Sequence, residues 1–209
     1  MEPKRILIDP GHGGRKPGAV RKGVLEKDLN LSIALKVRDF LINMDAEVRM
    51  VRTSDVDIPL RTRVKIEKAL RPECIVSIHC NAVKNPKVRG YEVLYCSDEG
   101  QELSEFLDMY IGGGNEELKS RGIKYNPPEP RSNRLMILHD TVSPAVIVEC
   151  EFMSNSAGLK WLLNEENQDS MALGIARGIN SYVNPVAEEP VNEEQEKEKE
   201  ETSDGGNSD

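Results

Sequence analysis

The sequence predicts an α/β fold: a single domain with a mainly parallel, mixed central sheet of about six strands and helices on both faces. Three observations lead there. Short continuous apolar runs (Ile6-Leu7-Ile8, Ile75-Val76-Ser77-Ile78, Val146-Ile147-Val148) have the length and β-branched content of strands buried on both faces. They alternate with longer segments whose apolar residues recur at helical spacing. A chain of 209 residues is long enough to bury a core of its own without disulfide or metal staples.

Taken in order, Ile6-Leu7-Ile8 is a strand that runs into the glycine-rich turn Asp9-Pro10-Gly11-His12-Gly13-Gly14. Leu29, Ile33, Val37, Phe40 and Leu41 mark one face of a helix over residues 26–44. Residues 47–51 alternate as a strand, and residues 60–70 form a short helix. Residues 74–79 read as a buried strand and residues 91–95 as another, entered through Gly90. A helix is expected over residues 101–119, followed by the turn-rich loop Asn126-Pro127-Pro128-Glu129-Pro130. Residues 146–149 supply a last strand, and helices over 158–163 and 169–183 close the domain.

The net charge of −8 is unevenly placed. Residues 185–209 carry ten acids and two lysines with almost no apolar side chain, so this segment is expected to be a disordered acidic tail or linker. The folded part, residues 1–184, is then electrically balanced. Nine aromatic residues and no basic excess argue against nucleic acid as a partner. No apolar run approaches the roughly 20 residues that cross a bilayer, so membrane insertion is not expected. An apolar leader of 7–15 residues is likewise absent from the sequence as it stands, which predicts synthesis in the cytoplasm without a signal peptide. Cys74, Cys80, Cys96 and Cys150 are widely spaced, lack a C-x-x-C pair and read as small core thiols.

In open α/β sheets, ligands bind beyond the carboxyl ends of the strands. Four groups fit for chemistry gather there: His12 after the first strand, Glu26 opening the first helix, His79 ending the middle strand and Glu149 ending the last. Singly, each has an ordinary explanation: a loop histidine, a carboxylate favoured at a helix start, a satisfied buried histidine, half of an ion pair. Together, two imidazoles and a carboxylate make a three-ligand zinc site with an open fourth position. A phosphate loop (GxxxxGK[ST]), a dinucleotide fingerprint and a G-x-S-x-G nucleophile elbow are all missing. Cys80 and Cys150 adjoin the site residues but, by strand alternation, should point to the opposite face.

The segments Ile6–Gly14, Glu26–Leu31, Ser77–Ala82 and Pro144–Asn155 resemble the zinc-dependent N-acetylmuramoyl-L-alanine amidases of the amidase-3 type, which cut peptidoglycan. Arg61-Thr62-Arg63, Arg89-Gly90-Tyr91-Glu92 and Arg121-Gly122-Ile123-Lys124 are smaller matches in the same order, and the resemblance spans about residues 4–183. It implies Zn2+ held by His12, Glu26 and His79, and Glu149 as the catalytic carboxylate. The implied reaction is hydrolysis of the amide between the lactyl group of N-acetylmuramic acid and the L-alanine of the stem peptide, by a monomer whose partner is peptidoglycan. Asn81 is a candidate substrate contact, with a strand-end cap as its ordinary reading.

Where this sequence departs from the family, further expectations follow. Glu151 stands where the family commonly has glycine; it is expected to face solvent beyond the strand end rather than to add a carboxylate beside Glu149. His139 matches no ligand motif and is expected at the surface or rim. Some family members carry an inserted helix that plugs the cleft. Residues 95–134 leave little room for one, which predicts activity without an activator protein. The rival readings are a zinc peptidase or amidohydrolase acting on another wall bond, and a non-catalytic wall-binding module. Release through phage or prophage lysis is favoured over a sporulation role freed by mother-cell lysis.

Overall fold

The structure, a computed structural model, describes residues 3–114, 117–130 and 134–185. Beyond Pro185, the expected acidic tail lies outside the described residues. The chain opens with β1 (Arg5–Pro10), passes through a small hairpin of β2 (Val20–Arg21) and β3 (Val24–Leu25), and enters α1 (Glu26–Ile42). Then come β4 (Glu47–Met50), α2 (Leu60–Leu70), β5 (Cys74–Asn81), β6 (Tyr91–Tyr95) and α3 (Asp98–Gly112). β7 (Ser120–Tyr125), the one-turn α4 (Met136–His139), β8 (Ala145–Phe152), α5 (Ser156–Leu162) and α6 (Glu165–Val183) complete it.

Six strands form one sheet in the order β4-β1-β5-β8-β6-β7. β4, β1, β5 and β8 run parallel, whereas β6 is antiparallel to β8 and parallel to β7. The predicted class, a mainly parallel mixed sheet between helices, is the one observed. Strand alternation divides the core in two. Ile6, Ile8, Val76, Ile78, Val146 and Val148 join the larger core with residues of α1, α3, α5 and α6. Leu7, Ile75 and Ile147 point the other way, into a smaller core with Val64 of α2 and Ile137 and Leu138 of α4. This second face is thinly covered. Asp9, Ser77, His79 and Glu149 continue its alternation to the carboxyl ends of the strands, where a cavity opens.

Two elements differ from expectation. The helix expected to reach residue 119 ends at Gly112, and the chain returns as β7 at the sheet edge. Its residues, Ser-Arg-Gly-Ile-Lys-Tyr, carry one aliphatic side chain, because an edge strand needs no continuous apolar run.

The second correction concerns Glu151, which is fully buried, not solvent-facing. β8 pairs His79 with Glu149 but Asn81 with Phe152, so β8 holds one more residue than β5 across this stretch. Such a bulge breaks the two-residue alternation and prolongs the strand beyond Glu151. There Glu151 accepts hydrogen bonds from the backbone N–H of Gly90 (2.8 Å) and Phe152 (2.8 Å) and pairs with Arg89 (3.1 Å). Replacing it by leucine orphans two buried N–H groups, at about 1–3 kcal/mol each. Glu151→Leu is therefore expected to lower the urea midpoint by the equivalent of about 2–6 kcal/mol; an unchanged midpoint would contradict this role.

Candidate functional site

The site is built on the turn after β1. His12 there adopts φ 60°, a left-handed conformation that costs a non-glycine residue about 1–3 kcal/mol unless its surroundings enforce it. Two buried arginines do so. Arg52 donates to the carbonyls of Pro10 (3.0 Å), Gly11 (2.8 Å) and Lys27 (2.9 Å). Arg63 donates to the carbonyls of Pro10 (2.7 Å) and His12 (2.6 Å) and forms an ion pair with buried Asp9. Ser77 Oγ donates to the other oxygen of Asp9 (2.9 Å). The turn that presents His12 is thus tied down by guanidinium groups. The sequence alone does not mark Arg52, because an isolated buried arginine leaves no periodic trace, and it marks Arg63 only as part of the short motif Arg61-Thr62-Arg63.

His12, Glu26 and His79 converge as expected. Nε2 of His12 lies 3.2 Å from one oxygen of Glu26, and Nδ1 of His79 lies 3.0 Å from the other. All three donor atoms fall within 4.8 Å of one another. Ligands about 2.0–2.2 Å from a tetrahedral ion sit about 3.3–3.6 Å apart, so the donor types and their spacing fit a small divalent cation. Glu26 also accepts from the N–H of Ala19 (2.8 Å) and from the Asn30 side chain (3.1 Å). Burial by itself would raise the Glu26 pKa, but the hydrogen bonds to His12 and His79 outweigh it and hold the carboxyl far below its ordinary range. Burial disfavours the charged form of His79, yet its bond to Glu26 and the field of Glu149 raise its pKa.

Gly18 makes this packing feasible. With φ +70° it lies so close that an added Cβ would stand 2.4 Å from Oε2 of Glu26 and 2.7 Å from the His12 ring. Gly18→Ala is expected to cost about 1–3 kcal/mol from backbone strain alone and to displace a ligand. Chemical denaturation and a zinc titration check the two effects separately.

Glu149 stands beside this cluster, as the register neighbour of His79 on the adjoining strand β8. It lines a cavity of about 460 Å³ together with Asp9, His12, Arg63, Ser77 and His79, and Ile58, Leu60, Leu135, Met136, Ile137 and Ile147 supply its apolar wall. One carboxylate oxygen, Oε2, is buried without a hydrogen-bond partner. Burial, reinforced by the negative fields of Glu26 and Glu92 and opposed by His79, pushes its pKa up to about 7. Such a carboxyl can take up or release a proton near neutrality.

The other expected residues lie outside this cavity. Asn81 spends its side chain on Glu92 (2.9 Å) and on the N–H of Ala82 (2.8 Å), and so acts on its neighbours rather than in the cleft. His139 is half-buried on α4, with Nε2 3.0 Å from the side-chain oxygen of Asn126. All four cysteines are free thiols. Cys80 and Cys150 belong to the larger core on the far face. The hydrogen bond between them, followed by burial, raises the Cys80 pKa well above the ordinary thiol value, so it is a poor nucleophile.

Comparison with known proteins gives a consistent result. The sequence profile of the N-acetylmuramoyl-L-alanine amidase (amidase-3) family matches residues 6–181. The germination-specific N-acetylmuramoyl-L-alanine amidase of Bacillus subtilis is 31% identical over 201 residues, covering 90% of this chain and 83% of the relative. An endolysin of Bacillus phage SPP1 is 30% identical, covering 87% of this chain and 66% of the endolysin. Among solved structures, the amidase AmiC2 of Nostoc punctiforme superposes with a TM-score of 0.80 at 34% identity, over 87% of this chain and 97% of that one.

Proposed function

From the premise that this chain belongs to the amidase-3 family of N-acetylmuramoyl-L-alanine amidases, we propose that it hydrolyses the lactyl–L-alanine amide of peptidoglycan at the bacterial wall, using zinc and Glu149. The observation that carries this reading is the meeting, at one cavity, of two histidines of a His-Glu-His donor set and a neighbouring carboxylate with a buried, unpartnered oxygen. His12, Glu26 and His79 would hold the metal. When bound, zinc supplies Lewis-acid polarisation of the scissile carbonyl and makes a nucleophile from water at neutral pH.

The protein's own groups account for the rest. Glu149, with a pKa near 7, accepts the proton of the attacking water at its carboxylate and returns it to the departing alanine nitrogen. Arg52 and Arg63 keep the turn bearing His12 in place while substrate enters. Asp9 balances the charge of Arg63 and is itself held by Ser77.

Product analysis on purified peptidoglycan tests this proposal. New amino groups on L-alanine and new muramyl lactyl carboxyls, both lost on chelation and restored by zinc, are expected. Cleavage within the stem peptide would instead mark a zinc peptidase, and no release at all would leave a wall-binding module.

A further inference from the structure

Beyond the hold of Arg89 and Gly90 on Glu151, two matched stretches remain without a role: the Tyr91-Glu92 end of Arg89-Gly90-Tyr91-Glu92, and Arg121-Gly122-Ile123-Lys124. The structure brings them together. Glu92, on β6, pairs in register with Glu149 on β8, so the two side chains share the open face of the sheet. Glu92 accepts from Asn81 (2.9 Å) at one oxygen, and from both Arg121 (3.0 Å) and Lys124 at the other. Glu92 is buried, whereas the Arg121 and Lys124 side chains are 36% and 40% exposed.

Charge neutralisation alone does not account for this arrangement. Within this hydrogen-bonded group two cations and an amide donor share one carboxylate, so the cations outnumber the anion they are gathered on. Arg121 is also fixed in place: its guanidinium lies 5.1 Å over the Phe152 ring, and its stem runs beside Gly90. A Cβ on Gly90 would stand 3.1 Å from that stem and 2.3 Å from a backbone oxygen. A guanidinium held on two sides loses little entropy when it takes a further anion.

We propose that Arg121 and Lys124, gathered on Glu92, form a receptor for a free carboxylate on the peptide stem of the substrate. The inference rests on the amidase reading and names which part of the substrate lies on β6 and β7. Near the scissile amide, the sugar offers only neutral hydroxyl and acetamido groups, and its lactyl carboxyl is consumed in the amide itself. An anion-binding pair beside Glu149 must therefore face the peptide. The cations lie about one to two strand spacings, roughly 5–10 Å, from Glu149. That is the reach of one to three extended residues, so the carboxylate belongs to a residue soon after the L-alanine.

The test uses the full chain and two soluble muramyl peptides that differ only at the residue after L-alanine, one carrying a free α-carboxylate and the other its carboxamide. The unsubstituted protein is expected to favour the carboxylate by about 10–100-fold in kcat/KM, expressed mainly in KM, as a charge-assisted hydrogen bond supplies. Lys124→Gln and Arg121→Gln should each cut that preference to within about threefold of unity, and Arg121→Lys should restore part of it. Equal losses on both substrates, or no preference at the outset, overturn the proposal. If Arg121→Gln does not fold, Lys124→Gln, altered at an exposed ammonium, decides the matter. Calorimetric binding of the two peptide products separates this proposal from the amidase reading. Selective binding of the acid through these cations without muramyl–alanine cleavage keeps the receptor and removes the amidase assignment. Cleavage indifferent to the carboxylate does the reverse.

Discussion

Glu149→Gln is expected to abolish wall hydrolysis while making the metal-free protein more stable above neutral pH. Loss of a positioned general base typically costs about 10²–10⁴ in rate, and the amide cannot take the water proton. The stability gain follows from burial. In the folded protein the Glu149 carboxyl titrates near 7, against an ordinary value of 4.5. A carboxyl whose folded pKa is raised stabilises the fold fully only below its unfolded value, and that contribution is lost as pH climbs through the folded one. Between about 4.5 and about 7 the loss amounts to at most about 3 kcal/mol. At pH 8 in chelator, the variant should therefore exceed the parent by about 1–3 kcal/mol, and the difference should vanish near pH 4. Urea titrations across this range measure it. Equal stability at pH 8 would mean that the carboxylate is better solvated than its surroundings imply, and full activity would remove Glu149 from catalysis.

His79→Ala should have the opposite profile, with both the cation and activity lost. His79 occupies one arm of the donor set and anchors Glu26 through its Nδ1. For the parent protein, zinc at a hundred times its dissociation constant should add about 2.7 kcal/mol of stability, and melting with and without chelator reads this directly. His79→Ala should show no zinc-dependent rise, and its activity should match that of the chelated parent. Glu149→Gln, by contrast, should keep the rise in full. A zinc-induced rise persisting in His79→Ala would show that the ion is held elsewhere.

The central strands and the converging His12, Glu26 and His79 are legible in the sequence because their signals are local. Ile6-Leu7-Ile8 and Val146-Ile147-Val148 must be apolar on both faces to lie mid-sheet, and His12, His79 and Glu149 follow such runs at the end where α/β ligands bind. The features that the sequence does not disclose depend on contacts between distant segments. β7 pairs at an edge and needs only Ile123 to pack, so it has no apolar period. The phase of Glu151 depends on a residue count in β8 relative to its neighbour β5, a property of two strands rather than one. Arg52 and Arg63 matter through carbonyls about forty to fifty residues away, which a linear pattern does not encode.

The clamp formed by those two arginines has a thermodynamic consequence. Because the turn bearing His12 is fastened by guanidinium–carbonyl bonds, most of the ordering that metal capture would otherwise require is completed when the chain folds. A cation held by this donor set would then have mainly to exchange its water shell for side-chain donors. Affinity at such a preformed socket is governed by desolvation and donor chemistry, not by the loss of loop freedom.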